Sequence, residues 1–214
     1  LLAHIKSHSY TNGYCTSCGS KDPGARFVAK IGKVEYTTLD EAIQKAKPGE
    51  TIELIRTITS EALVIEKDIK INLKGLDIYI KQSGNATAAV TIASGKTVSF
   101  IDGGIRISGA NTYETLIETS GILTVTNVIV RGTALGGKNS VALYNKGTAT
   151  IDGATIVLAV DKTKCAIQNE GTCTINLVKT ETVDARVQGV IKTVEGCLSM
   201  TGKHTGTTEI IPAK

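Results

Sequence analysis

Five segments of this chain fall into register when written beneath one another: VTIASGKTVSFIDGG (90–104), LIETSGILTVTNV (116–128), ALYNKGTATIDGA (142–154), AIQNEGTCTINLV (166–178) and VIKTVEGCLSMTG (190–202). Their anchoring glycines, Gly95, Gly121, Gly147, Gly171 and Gly196, are spaced by 26, 26, 24 and 25 residues. Around each glycine, β-branched and apolar residues alternate with polar ones, the period of a strand with one buried face. A self-similar unit of about 25 residues holding two or three short strands is a solenoid coil, stacked on the last at about 4.8 Å. A propeller blade needs about 40 residues, and the L-x-x-L-x-L-x-x-N signature of leucine-rich repeats is missing. The reading is an all-β chain: a right-handed parallel β-helix with about 25 residues per coil.

The alignment assigns side chains to columns. Val98, Leu123, Ala149, Cys173 and Leu198 share one inward column, and Phe100, Val125, Ile151, Ile175 and Met200 the next. Ile117, Leu143, Ile167 and Ile191 form a third. Burial of each large member is worth about 1.5–3 kcal/mol. Thr119, Asn145, Asn169 and Thr193 should also point inward near a bend, where their side chains can bond the backbone of the bend and of the next coil. Glu118, Tyr144, Gln168 and Lys192 face outward, a mixed face with a single aromatic.

Upstream, residues 38–47 (TLDEAIQKAK) place Leu39, Ala42, Ile43 and Ala46 on one helical face. Thr38 stands three residues before Glu41, a capping-box spacing, and Pro48-Gly49 ends the segment. An amphipathic helix here covers the open strand edges of the first coil. The chain therefore divides into a Cys/His-containing appendage over 1–24 and a capped β-helix over 25–214.

Composition narrows the function. With 24 basic and 20 acidic residues the net charge is +4, too small and too scattered for nucleic-acid binding. No Trp, 6 Tyr and 2 Phe disfavour an aromatic binding platform. No apolar run approaches the roughly 18 residues that cross a bilayer, and Leu1-Leu2-Ala3-His4 lacks the basic start and long apolar stretch of a secretory signal.

Two constellations carry chemistry. His4, His8, Cys15 and Cys18 form the ligand set of a Cys2His2 zinc site, with Gly19 suiting the tight turn after the second cysteine. A local Cys15–Cys18 disulfide and free thiols are the alternatives, and five cysteines argue against a fully paired framework. A polar column, Asp102, Asn127, Asp152 and Asn176, follows the second strand of each repeat. Turn chemistry accounts for it. Read as a catalytic column, it sets Asp102 and Asp152 two coils apart, about 10 Å. That is too far for one calcium ion and near the upper limit for an inverting hydrolase pair.

HSYTNGYCTSCGSKDPG, over about 17 residues, resembles the H-x-Y/F-x-x-G-x-C-x-x-C-G insertions of cell-surface proteins from gut Gram-positive bacteria. AKIGKVEYTTLDEAIQKAKPGETIELIRTIT, 31 residues, resembles the start of a pectate-lyase-like right-handed parallel β-helix, with Tyr36, Leu39, Glu41, Ala42, Ile43, Gly49, Thr51, Ile52 and Leu54 matching. The resemblance implies an exported, extracellular or cell-surface chain and no defined activity, since the fold carries lyases, hydrolases, adhesins and inert spacers. Lyases of this class use an Arg or Lys base beside calcium-binding carboxylates, which makes Arg106 and Arg131, beside Asp102 and Asp152, the catalytic candidates of an enzymatic alternative. The expected function is a non-catalytic surface module for adhesion, glycan recognition or spacing, with a polysaccharide or a cell-surface protein as partner.

Overall fold

The structure, a computed structural model, describes residues 8–132, 134–138, 140–153, 155–158, 165–177, 183–184, 186–188, 191–194, 200–201, 204–205 and 208–211. It is a β-solenoid of parallel stacked coils. Each regular coil contributes a strand to a seven-stranded sheet and, after a tight turn, a strand to a twelve-stranded sheet. Val141–Asn145 and Thr148–Gly153 are such a pair, and Ile156–Leu158 follows before the chain begins its next coil.

The expected columns form through residue 175. Val98 lies opposite Leu123, Leu123 opposite Ala149, and Ala149 opposite Cys173. Phe100, Val125, Ile151 and Ile175 stack two residues on, and Ile117, Leu143 and Ile167 stack in the other sheet. All of these are buried. Asn145 and Asn169 sit inside the bend. The Asn145 amide donates to Asn169 Oδ1 (2.5 Å) and to the Thr172 carbonyl (2.9 Å), and Asn145 Oδ1 accepts from the Gly147 amide (3.2 Å). These bonds satisfy carboxamides that would be costly to bury unpaired. Thr119, one coil earlier, is fully buried, and its hydroxyl makes no hydrogen bond.

The repeat glycines have a steric cause. A Cβ on Gly121 would run into the carbonyls of Ala93 and Lys96, one on Gly147 into that of Gly121, and one on Gly171 into that of Gly147. Only glycine lets the turns nest at coil spacing.

The opposite corner corrects the polar column. Asp102 (φ 52°) and Asn127 (φ 56°) hold the left-handed conformation there, and the Asn127 amide donates to Asp102 Oδ1 at 2.9 Å. In the next coil Thr126 pairs with Asp152, so the following residue, Gly153 (φ 62°), takes the corner. Asp102 and Asp152 therefore stand on different columns. The corner needs a residue that tolerates positive φ, which Asn, Asp and Gly share, and glycine fills it as well as a carboxylate does.

The fifth segment also departs from expectation. Ile191 pairs with Cys173 and Thr193 with Ile175 in the larger sheet, while Val187 lies opposite Ile167. The coil from Cys173 to Ile191 takes 18 residues, against 24 from Ala149 to Cys173. Alternation alone cannot say which sheet a strand joins, and shortening the coil moves Ile191 and Thr193 from one sheet to the other. Lys192 accordingly stands beside Thr174, not Gln168. Gly196 and Leu198 lie outside the described residues.

The first coil is capped as the sequence predicts. The helix spans Leu39–Lys45, and the Thr38 hydroxyl accepts from the Glu41 amide at 3.1 Å. Leu39, Ala42, Ile43 and Ala46 are buried. Lys67 donates to the helix-end carbonyls of Gln44 and Ala46, a cation satisfying orphan acceptors at the negative end of the helix. Beside it, the antiparallel hairpin Ala29–Ile31/Val34–Tyr36 closes the larger sheet against Thr51–Leu54.

Candidate functional site

The appendage folds as a hairpin and a knuckle. Tyr10–Thr11 pairs with Tyr14–Cys15 across Asn12 (φ 52°) and Gly13 (φ 81°), a turn for which Asn-Gly is the preferred sequence. The chain then loops through Thr16 and Ser17 to Cys18. Gly19 (φ 70°) donates its amide to the Cys15 carbonyl at 2.9 Å, and the Cys15 amide donates to the Ser20 carbonyl at 2.8 Å.

This turn brings three soft ligands together. His8 Nδ1 lies 3.2 Å from Cys15 Sγ and 3.5 Å from Cys18 Sγ. All three ligand atoms fall within 4.8 Å of one another, close enough to hold a metal ion. Both thiols are free, so no disulfide joins them. The Ser17 amide donates to Cys15 Sγ at 3.4 Å. The backbone amides of Ser17 and Cys18 favour the thiolate and hold Cys15 below the ordinary thiol range. Cys15 is buried, whereas His8 and Cys18 are exposed. His4, the fourth expected ligand, lies outside the described residues.

The knuckle is fastened to the solenoid cap. Tyr14 OH accepts from the Glu35 amide at 3.1 Å, and Lys21 pairs with the Glu35 carboxylate at 2.7 Å. The rings of Tyr14 and Phe27 meet at 5.3 Å. A Cβ on Gly13 would press on Phe27 and Thr37, so the hairpin turn rests directly on the residues leading into the capping helix.

The catalytic candidates do not converge. Asp102 is bonded by Asn127 at a corner. Asp152 Oδ1 accepts from the adjacent Gly153 amide at 2.8 Å. Arg106 Nε lies 3.0 Å from Asp77 Oδ2, an ion pair seated against Gly104, where a Cβ would collide with the Asp77 carboxylate. Arg131 stacks on Arg106 in the next coil and is exposed.

The outer face of the smaller sheet is a closed polar network. Lys146 pairs with Glu118 at 2.8 Å and lies 4.6 Å above the Tyr144 ring. Tyr144 OH donates to Glu170 at 2.6 Å, a bond that with burial pushes the phenol up to about 12. A cavity of about 400 Å3 opens where the helix start leaves the first coil uncovered. Leu39, Ile58 and Leu63 line it, with the Glu61–Lys81 pair (2.9 Å) beside them.

The outer face of the larger sheet carries a feature the sequence reading missed. Thr97, Ile122, Thr148 and Thr172 form one exposed rank, each opposite the next. Ser99, Thr124, Thr150 and Thr174 form a parallel rank two residues along the strands. The ranks repeat about every 4.8 Å across coils and lie about 6.6 Å apart along the strand. Over these four coils neither rank holds a charge, and Lys70 and Lys192 bound the second rank beside Ser99 and Thr174. Among the described residues none of the hydroxyls in the ranks is hydrogen-bonded to the protein. The signal was available in T-V-S (97–99), I-L-T (122–124), T-A-T (148–150) and T-C-T (172–174), recurring at the coil period.

No helix among the described residues is long and apolar enough to cross a membrane. Comparison with protein-family models, with curated proteins and with solved structures finds no match to this chain.

Proposed function

We propose that this chain is a non-catalytic module of an exported cell-surface protein and that it recognises a repetitive, neutral glycan along the threonine face. The observation that carries this reading is the regular array itself. Two uncharged ranks of hydroxyl and methyl groups, fixed by the coil spacing, offer many weak and equivalent contacts. Such contacts gain affinity only against a partner that also repeats. The dispersal of Asp102, Asp152, Arg106 and Arg131 into separate structural bonds supports a binding role over a lytic one. The resemblance to pectate-lyase-like surface proteins supports export.

We propose zinc as the metal of the knuckle. Two thiolates and an imidazole suit zinc better than the oxygen-seeking ions, and His4 is the proposed fourth ligand. The ion acts structurally, tying the hairpin to the knuckle that rests on the cap.

A panel of soluble and insoluble polysaccharides, read for binding and for chain shortening with and without calcium, tests the function. Binding without shortening is expected. Shortening of any polymer overturns the non-catalytic reading, and a silent panel overturns glycan recognition. Metal analysis of reduced protein should give one zinc per chain, and a chelator should lower the melting temperature. Protein free of metal after incubation with zinc salts would refute the second assignment.

A further inference from the structure

We infer that Cys15 and Cys18 are a paired oxidation site whose closure to a disulfide expels the metal, so that the two chemistries open to this C-x-x-C are two states of one device. The inference rests on the metal reading above. The two Sγ atoms, with His8 Nδ1, fall within 4.8 Å of one another, so side-chain rotation and a small relaxation of the loop bring them to the roughly 2.05 Å of a disulfide. Their exposure differs in the way a stepwise oxidation requires. Cys18 is open to solvent beside Ser20 Oγ (3.1 Å), and Cys15 is buried behind it. An oxidant therefore reaches Cys18 first, and Cys15 is placed to resolve the product.

With hydrogen peroxide as oxidant the steps balance. The Cys18 thiolate attacks one peroxide oxygen, the O–O bond breaks, and the departing hydroxide takes a proton to leave as water. Cys18 is then a sulfenic acid. The Cys15 thiolate attacks that sulfur, the S–O bond breaks, and hydroxide again leaves as water after protonation. Two thiolates have lost two electrons, and peroxide with two protons has become two waters. The disulfide sulfurs no longer serve as anionic ligands, and the imidazoles that remain, His8 with the proposed His4, are too few to hold the ion. Cys173 is excluded from this chemistry because it is fully buried among the stacked coils.

The device acts on the cap. Tyr14 and Gly13, immediately before Cys15, hold Glu35, Phe27 and Thr37. Metal loss and disulfide closure therefore occur one residue from the contacts that seat the hairpin on the cap.

The test uses the intact chain, reduced, loaded with zinc and freed of excess metal. Hydrogen peroxide is added, zinc release is followed with a chromophoric chelator, and the tryptic peptide 7–21, which holds both cysteines and no other, is weighed. The expected result is one equivalent of zinc released, with the peptide lighter by two hydrogens. Dithiothreitol and zinc should then restore the starting state. Zinc retained after peroxide, or released while the peptide carries sulfinic or sulfonic acid in place of a disulfide, overturns the inference and leaves the metal reading intact. A reduced chain that takes up no zinc overturns both. Because the readout is made on the unsubstituted chain, a cysteine variant that fails to fold cannot obscure it.

Discussion

Gly147 and Gly95 look alike in the repeat and are required for different reasons. Gly147 sits beneath the Gly121 carbonyl with no room for a methyl group, whereas Gly95 is left-handed (φ 72°) and faces open space. Gly147→Ala should destabilise by about 3 kcal/mol, the upper end of the usual overpacking cost, because coil backbone must move. Gly95→Ala should cost about 1–2 kcal/mol, the strain of an L-residue in the left-handed region. Chemical denaturation of the two variants separates these cases, and equal losses would refute the steric account. The glycine period was legible in the sequence. The cause was not, because close approach between coils is a property of the stack and leaves no local mark.

Among the elements, the capping helix was the most legible, since its signals are local. Thr38, Glu41 and the spacing of Leu39, Ala42, Ile43 and Ala46 lie within nine residues; the Thr38 hydroxyl accepts from the Glu41 amide, and the four apolar residues are buried. Thr38→Ala should cost about 1 kcal/mol by leaving the Glu41 amide without its acceptor, and Thr38→Ser should recover most of it, measured by thermal unfolding. The knuckle was partly legible. The order of histidine and cysteine gave the ligand types, and the hairpin that gathers His8 with Cys15 follows from Asn12-Gly13. Its seat on Phe27, Glu35 and Thr37 depends on long-range packing. Asp152 and Ile191 show where local reading failed. One coil gives its corner to Gly153, and another closes after 18 residues, from Cys173 to Ile191. Residue type carries no record of either shift.

On the scale of the whole molecule, the two sheets present different surfaces. One is cross-linked by Glu118–Lys146 and Tyr144–Glu170, and its polar groups are already engaged with each other. The other shows uncharged threonine ranks. Thr150→Lys, which places a charge at the middle of the array, should weaken binding to an insoluble neutral glycan at least tenfold, a loss of about 1.4 kcal/mol. The melting temperature should hardly change, because the site is at the surface. Tyr144→Phe on the opposite face should leave binding as it is. A pull-down titration measures both, and equal loss in the two variants would place the binding surface elsewhere.

The coils differ in length, and the difference is not spread evenly around them. From Thr119 to Ile122, from Asn145 to Thr148 and from Asn169 to Thr172 the glycine turn takes three steps, whereas from Ile92 to Thr97, around Gly95, it takes five. Between the end of one coil and the start of the next the span varies, ten steps from Arg131 to Val141 and seven from Leu158 to Cys165. One side of the solenoid thus holds a constant gauge over three successive coils, and another varies between them. Residues can be added or removed on the varying side without shifting the register of any sheet, and the Gly95 turn absorbs two extra residues in the same way, whereas a one-residue slip within a strand would turn a buried column outward. Growth of such a protein by duplication, and grafting of foreign segments onto it, is therefore easiest at the connections whose length already varies, and hardest at the turns where one glycine nests beneath the carbonyl of the one before.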